Sequence, residues 1–260
     1  MCATHDEANN NGVPSTILAD RGESAGPVNK GLLADLVIAN HILFNHHVVD
    51  AFGHVSVRHD ANPERFLLAR NMAPALVTEH DIVEFHLDGT PVNAGGRSVY
   101  LERFLHGEIF RARPDVHCVV HSHAPEVVPF GVSKQARLRA VWHMSGFLGL
   151  DTPVFEIRDT AGSSTDLLIR STDLGKALAL SLGGASVVLM RGHGATVVGE
   201  SIRQTVFRAV YTQLNAKLQF QAMQIGEVNY LSEGEARTTT DVIGTQVDRA
   251  WDLWKQEVSR

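Results

Sequence analysis

Cysteine, basic charge and long apolar runs are all scarce in this chain of 260 residues. The two cysteines, Cys2 in a polar segment and Cys118 in an apolar run, exclude a disulfide framework and fit a reducing cytoplasm. The net charge of -6 excludes a basic field for nucleic acid or anionic membranes. No apolar stretch approaches the roughly 20 residues of a membrane-spanning helix, and no basic-then-apolar signal pattern opens the chain. We therefore expect a soluble cytoplasmic protein without nucleic-acid or membrane partners.

Linkers and internal repeats are also missing, which favours one folded unit. Residues 1–28 are rich in Asn, Ser, Gly, Thr and acidic residues without an apolar period, and this predicts a disordered N-terminal tail. Beyond the tail, helical and strand patterns alternate. Hydrophobic residues make up 44% of the chain, enough for a sizeable core. We predict one α/β domain over residues 29–260.

Apolar periodicity and turn signals divide this domain into elements. Alternating or continuous apolar runs predict strands at residues 54–58, 66–69, 82–87, 116–120, 154–157, 167–169 and 186–190. Periodic runs predict helices within residues 30–49, 100–113, 171–182 and 240–258, and a further helix start near Pro125. Ser201 and Gln204 form a capping-box pattern that predicts the start of a long helix.

Histidine is abundant, with 14 residues, and it is both a common metal ligand and an acid/base suited to neutral pH. His121 and His123 follow the predicted strand at 116–120. Residues two apart in a strand point to the same face, so this pair can grip one metal ion. Taken alone, the pair also fits two polar residues at a strand end. A cupin barrel is a rival fold with such a pair, but Pro125 and the helical surroundings disfavour it.

Two further residues stand at element ends that suit a site. His193 lies between Gly192 and Gly194, directly after a predicted strand, and the glycines let the backbone turn sharply and approach a neighbour. Strand ends are where sites form in α/β sheets. Glu102 opens the predicted helix before the His-Ser-His strand, although the helix dipole alone explains an acid there. Their combined placement with the histidine pair indicates one metal site.

These residues and their spacing resemble the class II aldolase/adducin family over roughly residues 30–225. Glu102 lies 19 residues before His121, and the Gly-His-Gly turn follows about 70 residues after His123. Further matching segments are FGHVSVR at 52–58, LDGTPV at 87–92 and RGHGATVVG at 191–199. The resemblance implies an α/β fold with three αβα layers around a central mixed, largely antiparallel sheet.

The same resemblance implies a metal-dependent lyase and a homotetramer with sites at subunit boundaries. The metal ligands would be His121, His123 and His193, and Glu102 would be the catalytic acid/base. Three imidazoles suit zinc and leave coordination positions open. Manganese, cobalt, iron or magnesium are alternatives, because affinity order alone does not choose the ion.

The chain departs from the family's sugar-phosphate aldolases where those enzymes bind phosphate. His54 stands in the turn that carries their Asn, Arg70 and Asn71 replace a Thr-Gly loop, and Tyr100 replaces a serine before the catalytic Glu. Arg70 can hold a carboxylate through two hydrogen bonds, and Tyr100 and His54 can contact a flat ring. This pattern resembles a branch that decarboxylates hydroxylated aromatic dicarboxylates such as 3,4-dihydroxyphthalate or 3-hydroxy-2-methylpyridine-4,5-dicarboxylate.

The resemblance to that branch implies a small aromatic acid as substrate. Arg70, Asn71 and Tyr100 would contact the acid, and Glu102 or His54 would supply a proton to the product carbon. Two other functions stay open on the same residues. One is a class II aldolase or epimerase acting on a hydroxy-ketone, and the other is a non-catalytic binding module like that of adducin.

Overall fold

A seven-stranded sheet forms the centre of the computed structural model, which describes residues 22–92 and 94–259. Its strand order is β3-β2-β1-β4-β7-β6-β5. Neighbouring strands are antiparallel, except that β5 runs parallel to β6. This confirms the predicted mixed, largely antiparallel sheet. The strands are β1 (His54–Arg58), β2 (Arg65–Ala69), β3 (Ile82–His86), β4 (Cys118–Ser122), β5 (Val154–Phe155), β6 (Val187–Met190) and β7 (Gly194–Gly199).

Helices flank both faces of the sheet. Three short 3-10 helices at residues 74–76, 79–81 and 143–148 lie in the connections. The α-helices are α1 (Lys30–Asn45), α2 (Arg103–Ala112), α3 (Val128–Val132), α4 (Arg158–Ala161), α5 (Thr172–Leu182), α6 (Ile202–Ile225), α7 (Glu233–Gly244) and α8 (Val247–Val258).

Alternation along the strands divides the core into two layers of side chains. Val55 and Val120 belong to the buried cluster under α1, α6 and α8. Val119 and Val198 belong to a second cluster, under α2 and α5. Because successive strand residues point to opposite faces, His121 shares the α2 face with Val119. The sheet therefore carries its histidines toward α2.

Two sheet predictions were wrong. Residues 167–169 form no strand, since Leu167 adopts a left-handed φ of 70° that breaks an extended run. Residues 194–199 form β7, which the sequence reading missed because two glycines bound its short apolar run. The hairpin of β6 and β7 places His193 at its turn.

Several helix boundaries also differ from the prediction. The helix predicted within 100–113 begins at Arg103, and the one expected near Pro125 begins at Val128. The segment 240–258 is two helices, α7 and α8, because the chain turns after Gly244. Two helices, rather than one, thus pack at the C-terminal end of the domain.

The capping box at the start of α6 is half right. Ser201 Oγ accepts a hydrogen bond from the backbone of Gln204, as predicted. The Gln204 side chain accepts from the backbone of Glu200 rather than of Ser201, because the chain turns one residue earlier.

Most of the predicted tail lies outside the described residues. Its described part, residues 22–28, forms no helix or strand, but Ser24 Oγ and Ala25 N both donate hydrogen bonds to the Glu84 carboxylate. Within the described ranges, no helix combines the length and apolarity needed to cross a membrane.

Candidate metal centre

Strand β4 positions the histidine pair. His121 is a fully buried strand residue whose neighbours across the sheet are His54 on β1 and Thr196 on β7. His123 follows the strand directly, and its ring returns to the same face as that of His121, with ring centroids 4.9 Å apart. The i, i+2 argument made from the sequence therefore gives the correct placement.

The turn between β6 and β7 brings His193 to the pair, and both flanking glycines are needed for it. Gly192 has a left-handed φ of 67°. Gly194 lies so close to β4 that a Cβ there would sit 2.0 Å from the carbonyl oxygen of Ser122. The two glycines thus hold His193 beside His123.

Replacing Gly194 with alanine is expected to lower the free energy of unfolding by about 1–3 kcal/mol, because β7 must move away from β4. Since that shift separates His193 from His123, metal affinity should fall as well. Thermal unfolding and zinc titration measure the two effects. Gly184→Ala is the matched control, because no atom lies within 4 Å of a Cβ at that glycine. Equal stability and zinc affinity in both variants would contradict the close-contact argument.

Three imidazoles and one carboxylate converge at this point. Glu102, His121, His123 and His193 each offer a ligand atom, and the four atoms lie within 4.8 Å of one another. His123 Nε2 is 3.0 Å from His121 Nε2 and 2.9 Å from His193 Nε2. Glu102 Oε2 is 3.3 Å from His121 Nε2 and 3.5 Å from His193 Nε2. Three nitrogens and one oxygen around one point match the donor set of zinc sites.

The ring nitrogens have lone pairs available for a metal. His193 Nδ1 lies 2.9 Å from the carbonyl oxygen of Leu167, which can only accept, so Nδ1 carries the proton and Nε2 faces the centre. Burial, aided by His121 and His193, lowers the pKa of His123 to about 4. His123 is therefore neutral at pH 7, and the residues fit a divalent ion.

Glu102 is fixed through its second oxygen. Its Oε1 accepts a hydrogen bond of 3.0 Å from the backbone of Ile169, and its side chain makes no cap at the start of α2. Burial alone would raise the pKa of Glu102, but the neighbouring His121 and His193 hold it well below its usual range. The group is thus an ionised carboxylate at the centre, not merely an acid that favours the helix dipole.

A second group of polar residues, which includes His54, lies on the α2 side of the centre. His54 is buried, with its ring centroid 5.0 Å from that of His121. Its Nδ1 is 2.7 Å from Nε2 of His106, whose Nδ1 is 2.6 Å from Ser56 Oγ. The sequence reading missed His106. The available signal was its spacing of four residues from Glu102, the residue directly before α2, because residues four apart lie on the same side of a helix.

The model of the class II aldolase and adducin N-terminal domain matches residues 34–220 of the chain. The chain belongs to the class II aldolase and adducin family. The L-fuculose 1-phosphate aldolase of Glaciozyma antarctica has the same fold, with a TM-score of 0.71 at 20% identity, over 90% of this chain and 94% of that one. The central sheet and its helices are thus those of the family.

Two curated relatives in this family are decarboxylases by name. Decarboxylase tropJ of Talaromyces stipitatus is 41% identical over 241 residues, which cover 84% of this chain and 90% of tropJ. The 3,4-dihydroxyphthalate decarboxylase of Arthrobacter keyseri is 27% identical, over 92% of this chain and 98% of that protein. These relatives, with the family fold, support a carbon–carbon lyase of decarboxylase or aldolase-like type.

The residues predicted to contact the substrate do not all meet at the centre. The Tyr100 ring lies against His54, with centroids 4.5 Å apart, and burial raises the pKa of its phenol to about 12. Its hydroxyl donates to the carbonyl of Met72. Arg70 Nε is paired with Asp81 at 2.7 Å, a contact between distant residues that the sequence reading did not foresee.

Asn71 is exposed, and its backbone N–H donates to the carbonyl of Ser98. The geometry thus joins Tyr100 to the centre through His54. Arg70 and Asn71 lie at the end of β2, outside the four-residue donor set.

Proposed function

We propose that this chain is a divalent-metal-dependent, non-oxidative decarboxylase of a hydroxylated aromatic acid such as 3,4-dihydroxyphthalate. The observation that carries the proposal is the four-residue donor set beside the packed rings of His54 and Tyr100. The resemblance of the motifs implies that these rings replace phosphate-binding residues of the family's aldolases, and flat rings favour an aromatic substrate. The 41% identity to decarboxylase tropJ and the name of the Arthrobacter relative support the same reaction class.

His121, His123 and His193 would hold the ion, with Glu102 beside them. A divalent ion there supplies Lewis-acid stabilisation of the negative charge that develops as carbon dioxide leaves. We favour zinc because three imidazoles suit it. The Leu167 carbonyl keeps His193 in the tautomer that can bind the ion.

Glu102 is the proton carrier in this proposal. Its ionised carboxylate takes the proton of the hydroxyl next to the departing carboxylate. The ring carbon then receives that proton, the carbon–carbon bond breaks, and its electron pair restores the aromatic ring as carbon dioxide leaves. A proton from water finally completes the product hydroxyl, so the reaction consumes one proton overall.

His54 is a hydrogen-bond donor to the substrate oxygens, and His106 sets its tautomer. If Ser56 donates to His106 Nδ1 and His106 Nε2 donates to His54 Nδ1, both hydrogen bonds among these three residues have a donor and the Ser56 hydroxyl proton has an acceptor. The reverse direction leaves the buried Ser56 hydroxyl proton without a partner among the described residues. Buried donors are nearly always paired, so the first direction is favoured. His54 then presents Nε2–H to the site.

Replacing His106 with leucine should lower turnover about tenfold or more, because His54 loses the donor that fixes its tautomer. His106→Gln should recover part of the loss, since its amide can still donate to His54 Nδ1. The ¹⁵N shifts of His54 check the cause: Nε2–H in the parent protein, a mixture in the leucine variant. An unchanged His54 spectrum in His106→Leu would contradict the positioning role.

We propose that Arg70 anchors a second carboxylate of the substrate, using the guanidinium nitrogens that do not bind Asp81. Arg70→Gln should therefore lower kcat/KM for a hydroxyaromatic dicarboxylate by about tenfold to a hundredfold. It should leave kcat/KM for the matching monocarboxylate unchanged. Steady-state kinetics on both acids measure the difference, and an equal loss on both would refute the anchor. Asn71 and Tyr100 complete the proposed substrate contacts.

The reaction class is tested by incubating zinc-loaded protein with 3,4-dihydroxyphthalate, the pyridine dicarboxylate named above and simple hydroxybenzoates. Release of carbon dioxide in step with loss of the acid supports the proposal. Aldehyde release from a hydroxy-ketone, without carbon dioxide from any acid, would assign an aldolase instead. Failure to bind a divalent ion would favour an adducin-like binding module.

We also propose a cytoplasmic homotetramer. Exposed apolar residues share one face of the second half of α6, where Leu214, Leu218 and Ile225 are 38%, 38% and 89% exposed. Such a surface suits contact with other copies of the chain. Light scattering on the zinc-loaded protein gives the number of subunits, and a monomer at micromolar concentration would refute the assembly.

A further inference from the structure

A cavity of about 270 Å³ adjoins the ring of His123, on the side formed by the end of α1, the segment after β4, and α6. Phe44, Val49 and Ala124 give it apolar walls. An apolar protein cavity of roughly 150 Å³ accommodates benzene. The space therefore suits a substituted aromatic ring whose other end reaches the metal centre.

Two hydrogen-bond acceptors on the cavity wall have no partner. Gln213 Oε1 and Glu126 Oε2 are buried atoms without a hydrogen bond among the described residues, and Gln213 as a whole is only 9% exposed. Buried polar atoms in folded proteins are nearly always paired. The two unpaired acceptors therefore indicate that a ligand in this cavity would donate hydrogen bonds to them.

The charged residues of the cavity wall limit which ligand groups can bind there. Asp50 and Glu126 contribute carboxylates, and the residues that line the cavity include no arginine or lysine. Like charges disfavour each other in a partly enclosed space, so a carboxylate of the ligand is disfavoured here. A neutral hydroxyl satisfies the acceptors without that penalty.

We propose that this cavity binds a ring hydroxyl of the substrate, remote from the departing carboxylate, through Gln213 and Glu126. This inference rests on the proposed function, because it assumes that an aromatic acid is held at the adjacent metal. One end of the substrate must then offer acidic oxygens to the metal centre, and the other end must offer a hydrogen-bond donor to the cavity.

Calorimetry with zinc-loaded protein tests the proposal on 2-hydroxybenzoate, whose neighbouring oxygens can chelate the ion. The same acid is compared with derivatives that carry a second hydroxyl, or a second carboxylate, at ring position 3, 4 or 5. At one of these positions the hydroxyl should tighten binding at least fivefold, and the carboxylate there should weaken it.

The variants Gln213→Met and Glu126→Gln connect this selectivity with the cavity. Each should reduce the gain in affinity that the second hydroxyl gives. Each should keep one zinc per chain and the parent affinity for 2-hydroxybenzoate. Glu126→Gln should also remove the penalty on the carboxylate. Glu227→Gln is the control, since Glu227 is exposed and does not line the cavity.

If a hydroxyl at none of these three positions tightens binding, or if the tighter binding survives in both variants, the cavity assignment is overturned. These outcomes are separate from the proposed function. The predicted selectivity without carbon dioxide release refutes the decarboxylase alone, and carbon dioxide release without selectivity refutes the cavity assignment alone. If 2-hydroxybenzoate does not bind at all, both fall.

Discussion

Replacing His123 with alanine is expected to weaken zinc binding by at least about a hundredfold and to reduce decarboxylation by about a thousandfold or more. His123 is the middle member of the set, because its Nε2 lies within 3.0 Å of the Nε2 atoms of both other histidines. Without it, two imidazoles and one carboxylate remain. Zinc titration against a competing chelator and a carbon dioxide assay measure the two losses.

His117→Ala is the matched control for this change. His117 is an exposed histidine just before β4, and it does not belong to the four-residue donor set. It should keep both zinc and activity. We expect both variants to fold. His123 is partly exposed after the end of β4, and His117 is exposed, so neither change removes a core side chain. If His123→Ala bound zinc as tightly as the parent protein, the proposed metal centre would be refuted.

Replacing Glu102 with glutamine should separate chemistry from metal binding. The amide keeps the shape of the side chain and its hydrogen bond from the Ile169 backbone, so zinc should remain bound within about tenfold of the parent affinity. Turnover should fall about a hundredfold to ten-thousandfold, because the amide cannot take and return a proton. Zinc content and single-turnover release of carbon dioxide distinguish the two effects.

Glu108 provides the comparison for Glu102. It lies on α2, which begins directly after Glu102, is only 3% exposed, and pairs with Arg111 rather than with the centre. Glu108→Gln should therefore change stability more than turnover. If Glu102→Gln turned over as fast as the parent protein, Glu102 would not be the proton carrier, and His54 would become the leading candidate.

The convergence of these four residues could be predicted from the sequence because local rules place them. The i, i+2 spacing sets His121 and His123 on one face of a strand, and two glycines mark the turn that carries His193. Glu102 was found by its position before α2. The resemblance of the motifs to the family gave the class of sheet correctly.

The residues that surround these four side chains are placed by contacts between distant segments. Such contacts leave no periodic pattern in the sequence. The Leu167 carbonyl that orients His193 lies in an irregular segment, where a strand was predicted. His106 is recognisable as part of the site only from its hydrogen bonds to Ser56 and His54 on β1. Arg70 was expected to be available for a ligand, but the 3-10 helix before β3 brings Asp81 to it.

We propose that decarboxylation takes place at one metal ion held by this donor set. The most direct test of this proposal is to titrate metal-free protein with zinc while following the release of ¹³CO₂ from a carboxyl-labelled hydroxyaromatic acid. We expect activity to rise linearly and to stop rising at one equivalent of zinc per chain. Full activity in the metal-free protein, or no release at any zinc concentration, would contradict the account.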